Sequence, residues 1–397
     1  MCYFIKHSCL ASEAPPGIKG VDGMDLQEIR KDIDKIDREI SHLFEERMKL
    51  TYQVAAYKIE NGKKVFDKQR EDEKLQVLSE LGKDDFQKQA IRELFLQIMS
   101  ISRKKQYTLV KEEQKDRLLT AWKEFPKGFK KVACFGDKGS YTEQAMEEFF
   151  GDDDIEGINK KTFSEVIEAL QSGEADYGVL PIENSSTGGI SDIYDLLVKS
   201  NAYIIGEHEI KVEQALIGIP GTPIDKIRKV FSHEQGIMQC KNFLKQYPDM
   251  EVEVYESTSG SVRRVKEEGD STHAAISSER AAKYYGLEVL QANINQESNN
   301  STRFIIITRQ RVCMESGKKI SICFEIAHES GTLYNMLAHF IFNGLNLTKI
   351  ESRPIEGKKW EYRFFVEFEG NLKEPGVQNA LQGLKEESNA FYLFGNF

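Results

Sequence analysis

Cysteine is sparse and scattered in this chain of 397 residues. Cys2, Cys9, Cys134, Cys240, Cys313 and Cys323 form no CxxC pair and no cluster. That argues against a disulfide framework or a thiolate zinc site and reads as reduced thiols of a cytoplasmic protein. The seven histidines show no HxxxH pair, so no metal is expected. No apolar run approaches the roughly 18 residues that a membrane-spanning helix needs. Nine prolines and 29 glycines exclude a fibrous or low-complexity chain. Basic blocks are missing as well. With a net charge of −10 and a pI of about 5.5, neither nucleic acid nor membrane is an expected partner. An anionic substrate must then be held by local cations, not by the overall field. Walker and Rossmann glycine patterns are absent, so no nucleotide and no cofactor is expected.

What is present fits several soluble domains: 40% apolar and 30% charged residues over a length that suggests two to four units. Residues 1–23 show no period and hold Pro15-Pro16. They read as a disordered leader, with Met24 a candidate start.

From Leu26 the apolar positions Leu26, Ile29, Ile33, Ile36, Ile40, Leu43, Leu50, Val54 and Tyr57 alternate spacings of three and four. This is a coiled-coil-like seam. The seam position between Leu43 and Leu50 is Arg47. A buried arginine is costly unless an anion meets it. It is either a register-setting residue paired with a glutamate or part of an anion pocket in a helix bundle. Lys58 favours the pocket, lying about 20° round the wheel and roughly 16 Å along the axis from Arg47. Arg30 lies about 25 Å away and about 100° round, so it can reach the same ligand only from another copy of the chain. A second helix carries Asp67, Arg70 and Glu71. In a third, Ser102 and Gln106 continue the Phe95/Met99 stripe, where they are either an exposed helix end or polar groups with a partner.

IRKDIDKIDREI, EERMKL, AAYK and FDKQRE stand in an order that resembles the all-α, three-helix chorismate mutase of bacterial P-proteins, bifunctional with prephenate dehydratase. The resemblance places this unit at 24–112, as an interlocked dimer. It implies that Arg30 of a second copy, Arg47, Lys58, Asp67, Arg70, Glu71, Ser102 and Gln106 bind chorismate. Lys58 and Gln106 would donate to the breaking ether oxygen. Arginine suits the two carboxylates through its bidentate fork.

Residues 113–130 read as a charged linker. Strand-like runs then alternate with helix-like ones: VACF, 141–150, 177–182, 190–198, 229–233, 235–246, 251–257, 273–278 and RFIIITR, an α/β pattern. Hydroxyls and amides collect at strand-to-helix turns, at Ser140-Tyr141-Thr142, Glu183 to Thr187, Ser232 to Gln235, Ser257 to Ser259 and Ser277-Ser278. Each alone is ordinary capping; several together suggest helix ends converging on one anion. STRF opens a very apolar strand, on its residues an ordinary strand start. VACFGDKGSYTEQA, GVLPIENSSTGGISDIYDLL, SHEQGIMQC and STRF resemble the two-lobed α/β prephenate dehydratase family over 131–310. The resemblance implies Thr302 as the group assisting loss of the ring hydroxyl. It implies Asn184, Ser185, Thr187, Ser232, Gln235 and Arg303 as prephenate-binding residues. Glu234 stands where the family often has proline.

From Lys318 the order β-α-β-β-α-β is the ferredoxin-like α+β arrangement. Gly331 and ESRP resemble the ACT regulatory domain of P-proteins, placed here at 318–397. That implies an L-phenylalanine effector site at Gly331, Thr332, Leu333, Glu351, Ser352, Arg353 and Pro354, between paired domains. Thr332 and Tyr334 depart from the commoner GAL-V pattern. The whole reads as a bifunctional enzyme that rearranges chorismate to prephenate and converts prephenate to phenylpyruvate under phenylalanine feedback, as a homodimer or higher homo-oligomer. The alternative is a dehydratase whose helices are only a structural arm.

Overall fold

The computed structural model describes residues 25–109, 119–297, 299–358 and 360–397. The expected leader and the first part of the expected linker lie outside them. Three units follow one another. The first is helical: α1 (Leu26–Glu60), α2 (Lys68–Ser79) and α3 (Asp85–Tyr107). Aspartates start all three. Asp25, Asp67 and Asp84 accept from the backbone N–H groups of Gln27, Arg70 and Gln87, which satisfies donors that a helix N-terminus leaves open. Gly62, at a φ of +61°, turns the chain after α1. In this single chain α1 buries only Thr51 and Ala55. Its seam of Leu26, Ile33, Ile36, Ile40 and Leu43 is at least half exposed. A stripe of that size on a 35-residue helix needs a cover.

The second unit has two lobes. In the first, the strands β2 (Lys130–Phe135), β3 (Ile155–Lys160), β4 (Tyr177–Asn184), β6 (Tyr203–Lys211) and β12 (Ser301–Thr308) run in the order β3-β2-β4-β12-β6. The short β5 (Gly188–Gly189) folds back on β4. β2 is parallel to β3 and β4, whereas β12 is antiparallel to β4 and β6. Helices α4 (Tyr141–Phe150), α5 (Phe163–Ser172) and α6 (Ser191–Ser200) cover it. The second lobe is the sheet β11-β7-β10-β8-β9, made of β7 (Ala215–Gly218), β8 (Lys229–Ser232), β9 (Glu251–Val254), β10 (His273–Ser277) and β11 (Glu288–Gln291). Its helices are α7 (Glu234–Gln239), α8 (Lys241–Leu244), α9 (Thr258–Glu268) and α10 (Glu279–Tyr285). The single helix expected over 235–246 is thus two, because the fully buried Cys240 takes a non-helical backbone between them. The strand expected over 251–257 ends at Val254, and Ser257 instead caps α9. Two strands strap the unit's ends together: β1 (Thr120–Trp122) lies parallel to β13 (Val312–Met314).

The third unit has the expected order: β14 (Lys319–Ile326), α11 (Thr332–Phe342), β15 (Leu347–Pro354), β16 (Tyr362–Glu369), α12 (Pro375–Glu387) and β17 (Ala390–Asn396). Its antiparallel sheet runs β15-β16-β14-β17. One face packs on α11 and α12 through Phe324, Phe340, Phe368 and Leu381. The other gives Cys323, Phe365 and Phe394 to the core of the first lobe, against Tyr194, Leu197 and Ile204. α12 also packs against α3, so the third unit touches both others.

Candidate active sites

In the helical unit α1 and α3 face each other. Arg47, half-buried, donates from Nη1 to the Ser102 hydroxyl, which donates to the Ile98 carbonyl at 2.8 Å. Lys58 donates to the Val65 carbonyl at 2.5 Å. Burial lowers the pKa of Arg47 against the pull of Glu71, and that of Lys58 against Asp67 and Glu71. Gln106 is buried and its Oε1 has no partner among the described residues. So the structure brings Arg47, Ser102, Gln106, Lys58 and Glu71 to one side of the bundle. Ser102 and Gln106 are not an exposed helix end. Asp67 caps α2 beside them. Arg70 is not brought in: it is exposed, with Glu73 at 4.0 Å. Arg30 is exposed near the start of α1, away from Arg47. Two buried cations were not anticipated, Arg103 and its neighbour Lys104. Arg103 donates to Glu71 and sits where the basic run RKK reads as a solvated last turn.

Between the two lobes of the second unit lies a cleft of about 370 Å³. Thr302 and Phe304 enter it from β12, Asn184 from the end of β4, Gln235 and Gly236 from α7. Ser140 to Thr142 and Ser257 to Ser259 bring the starts of α4 and α9. Asn184 is buried and organises one wall. Its amide nitrogen donates to the Thr302 hydroxyl at 3.0 Å and to the Asn300 carbonyl oxygen Oδ1 at 2.9 Å. Its own Oδ1 accepts from the Ser186 and Thr187 N–H groups at 3.0 and 3.3 Å. Gln235 donates to Thr187 at 3.0 Å and so bridges the lobes. Ser185 stays outside, pinned to Asn299 and Ser301, and Ser232 is spent on the Ile276 carbonyl. Ser278 caps α10 away from the cleft. Glu234 is exposed in the first turn of α7 and does not line it.

Arg303 does not reach the cleft. Successive strand residues point to opposite faces, so with Thr302 inside, Arg303 lies behind the sheet. There it pairs with Glu183 at 2.9 Å, Glu207 at 2.9 Å and Glu367 at 3.0 Å. Burial would lower the Arg303 pKa; Glu367, Glu183 and Glu207 raise it instead. Among the described residues no lysine or arginine lines the cleft. The expectation that local cations hold any anionic substrate therefore fails here. Hydroxyls, amides and helix starts take their place. Ser259, buried among them, has a hydroxyl without a partner among the described residues. The ESTSGS turn signalled this group, but capping explained it equally well.

The prephenate dehydratase family model matches residues 132–312 and the chorismate mutase type II model residues 29–107. A bifunctional chorismate mutase/prephenate dehydratase of Aquifex aeolicus is 33% identical over 94% of this chain and 98% of its own length. One of Buchnera aphidicola is 32% identical over 92% and 94%. The chain belongs to the bifunctional chorismate mutase/prephenate dehydratase family. A solved prephenate dehydratase of Arthrobacter aurescens, in complex with L-Phe, is 28% identical with a TM-score of 0.62, over 67% of this chain and 88% of that one.

The two expected effector motifs are apart within one chain. Gly331, at a φ of +83°, opens α11, and Thr332 donates to the Ala327 and Glu329 carbonyls at 3.0 and 2.8 Å. With Leu333 they line a hollow of about 280 Å³. On β15, Glu351 and Arg353 turn toward the dehydratase lobe, Arg353 reaching Asp195 of α6 at 2.6 Å. Ser352 and Pro354, on the other face, are exposed. Among the described residues no group of His, Cys, Asp or Glu is arranged to hold a metal, and no helix is long and apolar enough to cross a membrane.

Proposed function

We propose that residues 24–112 rearrange chorismate to prephenate and that residues 131–310 convert prephenate to phenylpyruvate. In this reading 113–130 is a linker and 318–397 is an ACT domain through which L-phenylalanine inhibits. The mutase step is unimolecular and needs no covalent help, only a compact conformer and stabilised charge on the ether oxygen. Arg47 would take a carboxylate, with Arg30 of a second copy closing the pocket, while Arg70 stays outside it. Lys58 and Gln106 would donate to the ether oxygen, and Glu71 would accept from the ring hydroxyl. The unpartnered Gln106 oxygen and the half-buried Arg47 suit a pocket that a polar ligand completes. The exposed α1 seam supports a dimer, because an interlocked second α1 would cover it and bring Arg30 within reach.

In the cleft, the bond from the ring to the carboxylate breaks, its electrons enter the ring, and the ring hydroxyl leaves as water. Asn184 donates to the Thr302 oxygen, which frees the Thr302 proton for the leaving hydroxyl. Helix starts and the Ser259 hydroxyl would grip the pyruvyl carboxylate. The departing carboxylate meets Phe135, Phe163 and Phe304 instead of a cation, which suits a group that must lose its charge. The buried unpaired cysteines among the described residues agree with the cytoplasm as working compartment.

The observation that carries this reading is the pairing of Arg47 with Ser102 inside the bundle, separate from a cleft built on Asn184 and Thr302. One incubation with chorismate tests it, following prephenate and phenylpyruvate with and without L-phenylalanine. Prephenate should appear first, phenylpyruvate after it, and phenylalanine should slow the second. Turnover of added prephenate without consumption of chorismate would leave only a dehydratase with a structural arm.

A further inference from the structure

Arg103 carries a buried guanidinium that the mutase reading leaves without a task. Only 5% of the residue is exposed. Its Nη1 donates to the Glu71 carboxylate. Its Nε and Nη2 form a fork on Glu387 at 2.8 and 3.0 Å, and its plane lies 4.9 Å from the centre of the Phe66 ring. Glu387 ends α12 in the third unit, 284 residues away in sequence. It also accepts from the Tyr107 hydroxyl at 3.3 Å and has His339 Nε2 at 3.2 Å. The neighbouring Glu386 accepts from the Val65 and Phe66 N–H groups at 3.0 and 3.2 Å. Val65 is the residue whose carbonyl holds Lys58. The last turn of α12 thus reaches two groups of the proposed mutase pocket, Glu71 through Arg103 and Lys58 through Val65.

We propose that Arg103 is a positioning residue of the mutase reaction, aimed at Glu71 and held in place by Glu387 of the C-terminal unit. This rests on the reading of Glu71 as the acceptor for the substrate hydroxyl. To accept, that carboxylate must be ionised and must turn one oxygen into the pocket. Arg103 takes the Oε2 atom and leaves Oε1 for substrate. A lone arginine would be free to swing onto Glu71 with both prongs; the fork on Glu387 prevents it. Glu71 faces Arg103 from α3, Arg47 and Lys58 from α1, and Glu387 from α12. Burial pushes its carboxyl up; Arg103 and Lys58 pull it down, and Glu387 pushes it up again. A buried ion pair is by itself weak evidence for stability, so the aim of this one at a pocket carboxylate matters more than its strength.

The opposed signs provide the test, made on the full-length protein. The pH profile of kcat/KM for chorismate is recorded for the parent, R103Q, R103K and E387Q, with turnover of added prephenate as a check of folding in each preparation. Losing the Arg103 charge should move the acid limb up by about one pH unit, so that the rate at a pH on that limb falls about tenfold and recovers at higher pH. R103K should restore part of this. E387Q removes a negative charge near Glu71, so its acid limb should move down. It keeps the shape of the side chain and supplies the test even if R103Q fails to fold. An unmoved acid limb in E387Q, or a shift upward, overturns the proposal. R47A separates the two levels: if R47A abolishes mutase turnover while the E387Q profile is unmoved, only the role of Arg103 fails. If R47A is without effect, the pocket itself is misplaced.

Discussion

The Asn184 amide nitrogen donates to the Thr302 hydroxyl oxygen across 3.0 Å. The hydroxyl proton is therefore not spent on Asn184, and Thr302 lines the cleft. Thr302→Ala should lower dehydratase turnover by about 10²–10⁴-fold, the usual range for a lost proton donor, with mutase turnover unchanged. Thr302→Ser keeps the hydroxyl and should retain much of the rate. Phenylpyruvate absorbance from added prephenate reads both, and equal losses of the two activities would instead mean global damage.

Arg47 and Arg30 can be tested as halves of one pocket. Arg47→Ala and Arg30→Ala should each reduce mutase turnover at least about a hundredfold, since each removes a carboxylate clamp. If Arg30 is supplied by the second copy, subunits of the two inactive variants refolded together regain about one quarter of the parent rate. Half the dimers are then mixed, and each mixed dimer holds one intact pocket. No regained activity would mean that both arginines come from the same chain, against the reading of Arg30 as the second copy's.

Lys58 is held below its ordinary pKa by burial, against the opposing pull of Asp67, Glu71 and Glu386. It donates only while protonated. As pH rises through its lowered pKa the donor is lost, so mutase kcat/KM should fall at a pH below the usual lysine range. Lys58→Arg keeps the charge to higher pH, so its alkaline limb should move up while kcat drops, a guanidinium being differently shaped. A pH profile for chorismate from 7 to about 10 checks this.

Lys349 of β15 is 3.1 Å from Glu183, the residue before Asn184, and 3.7 Å from Glu351. Glu351 in turn packs so closely on Gly189 that a Cβ there would lie 2.3 Å from its Oε2. The strand that carries the proposed effector motif thus rests on the loop that carries Asn184 and Thr187. Lys349→Met should weaken phenylalanine inhibition severalfold, read as a higher half-inhibitory concentration, while basal dehydratase turnover stays within about twofold. Unaltered inhibition would mean that the signal crosses elsewhere.

Much of this was legible in the chain. The seam of α1 and the strand-to-helix turns follow from local period and capping residues, which neighbours in sequence decide. Arg303 was misassigned to the cleft because TRF reads as one motif, although a strand sends its middle residue to the other face. Arg103 was missed for a different reason. Its burial is made by α12, and nothing near RKK distinguishes a solvated helix end from one capped by a distant helix. The cleft's lack of cations was equally hidden, since composition counts lysines and arginines without saying where they face.

The strap of β1 on β13 has a consequence for how such an enzyme is assembled. Chain entry and chain exit of the dehydratase unit are stitched side by side, with Thr120 opposite Val312 and Trp122 opposite Met314. Whatever precedes and whatever follows must therefore emerge from the same corner. Appending a helical module at one end and a second sheet at the other makes them neighbours without any added reach, and this is the geometry that lets Glu387 meet Arg103.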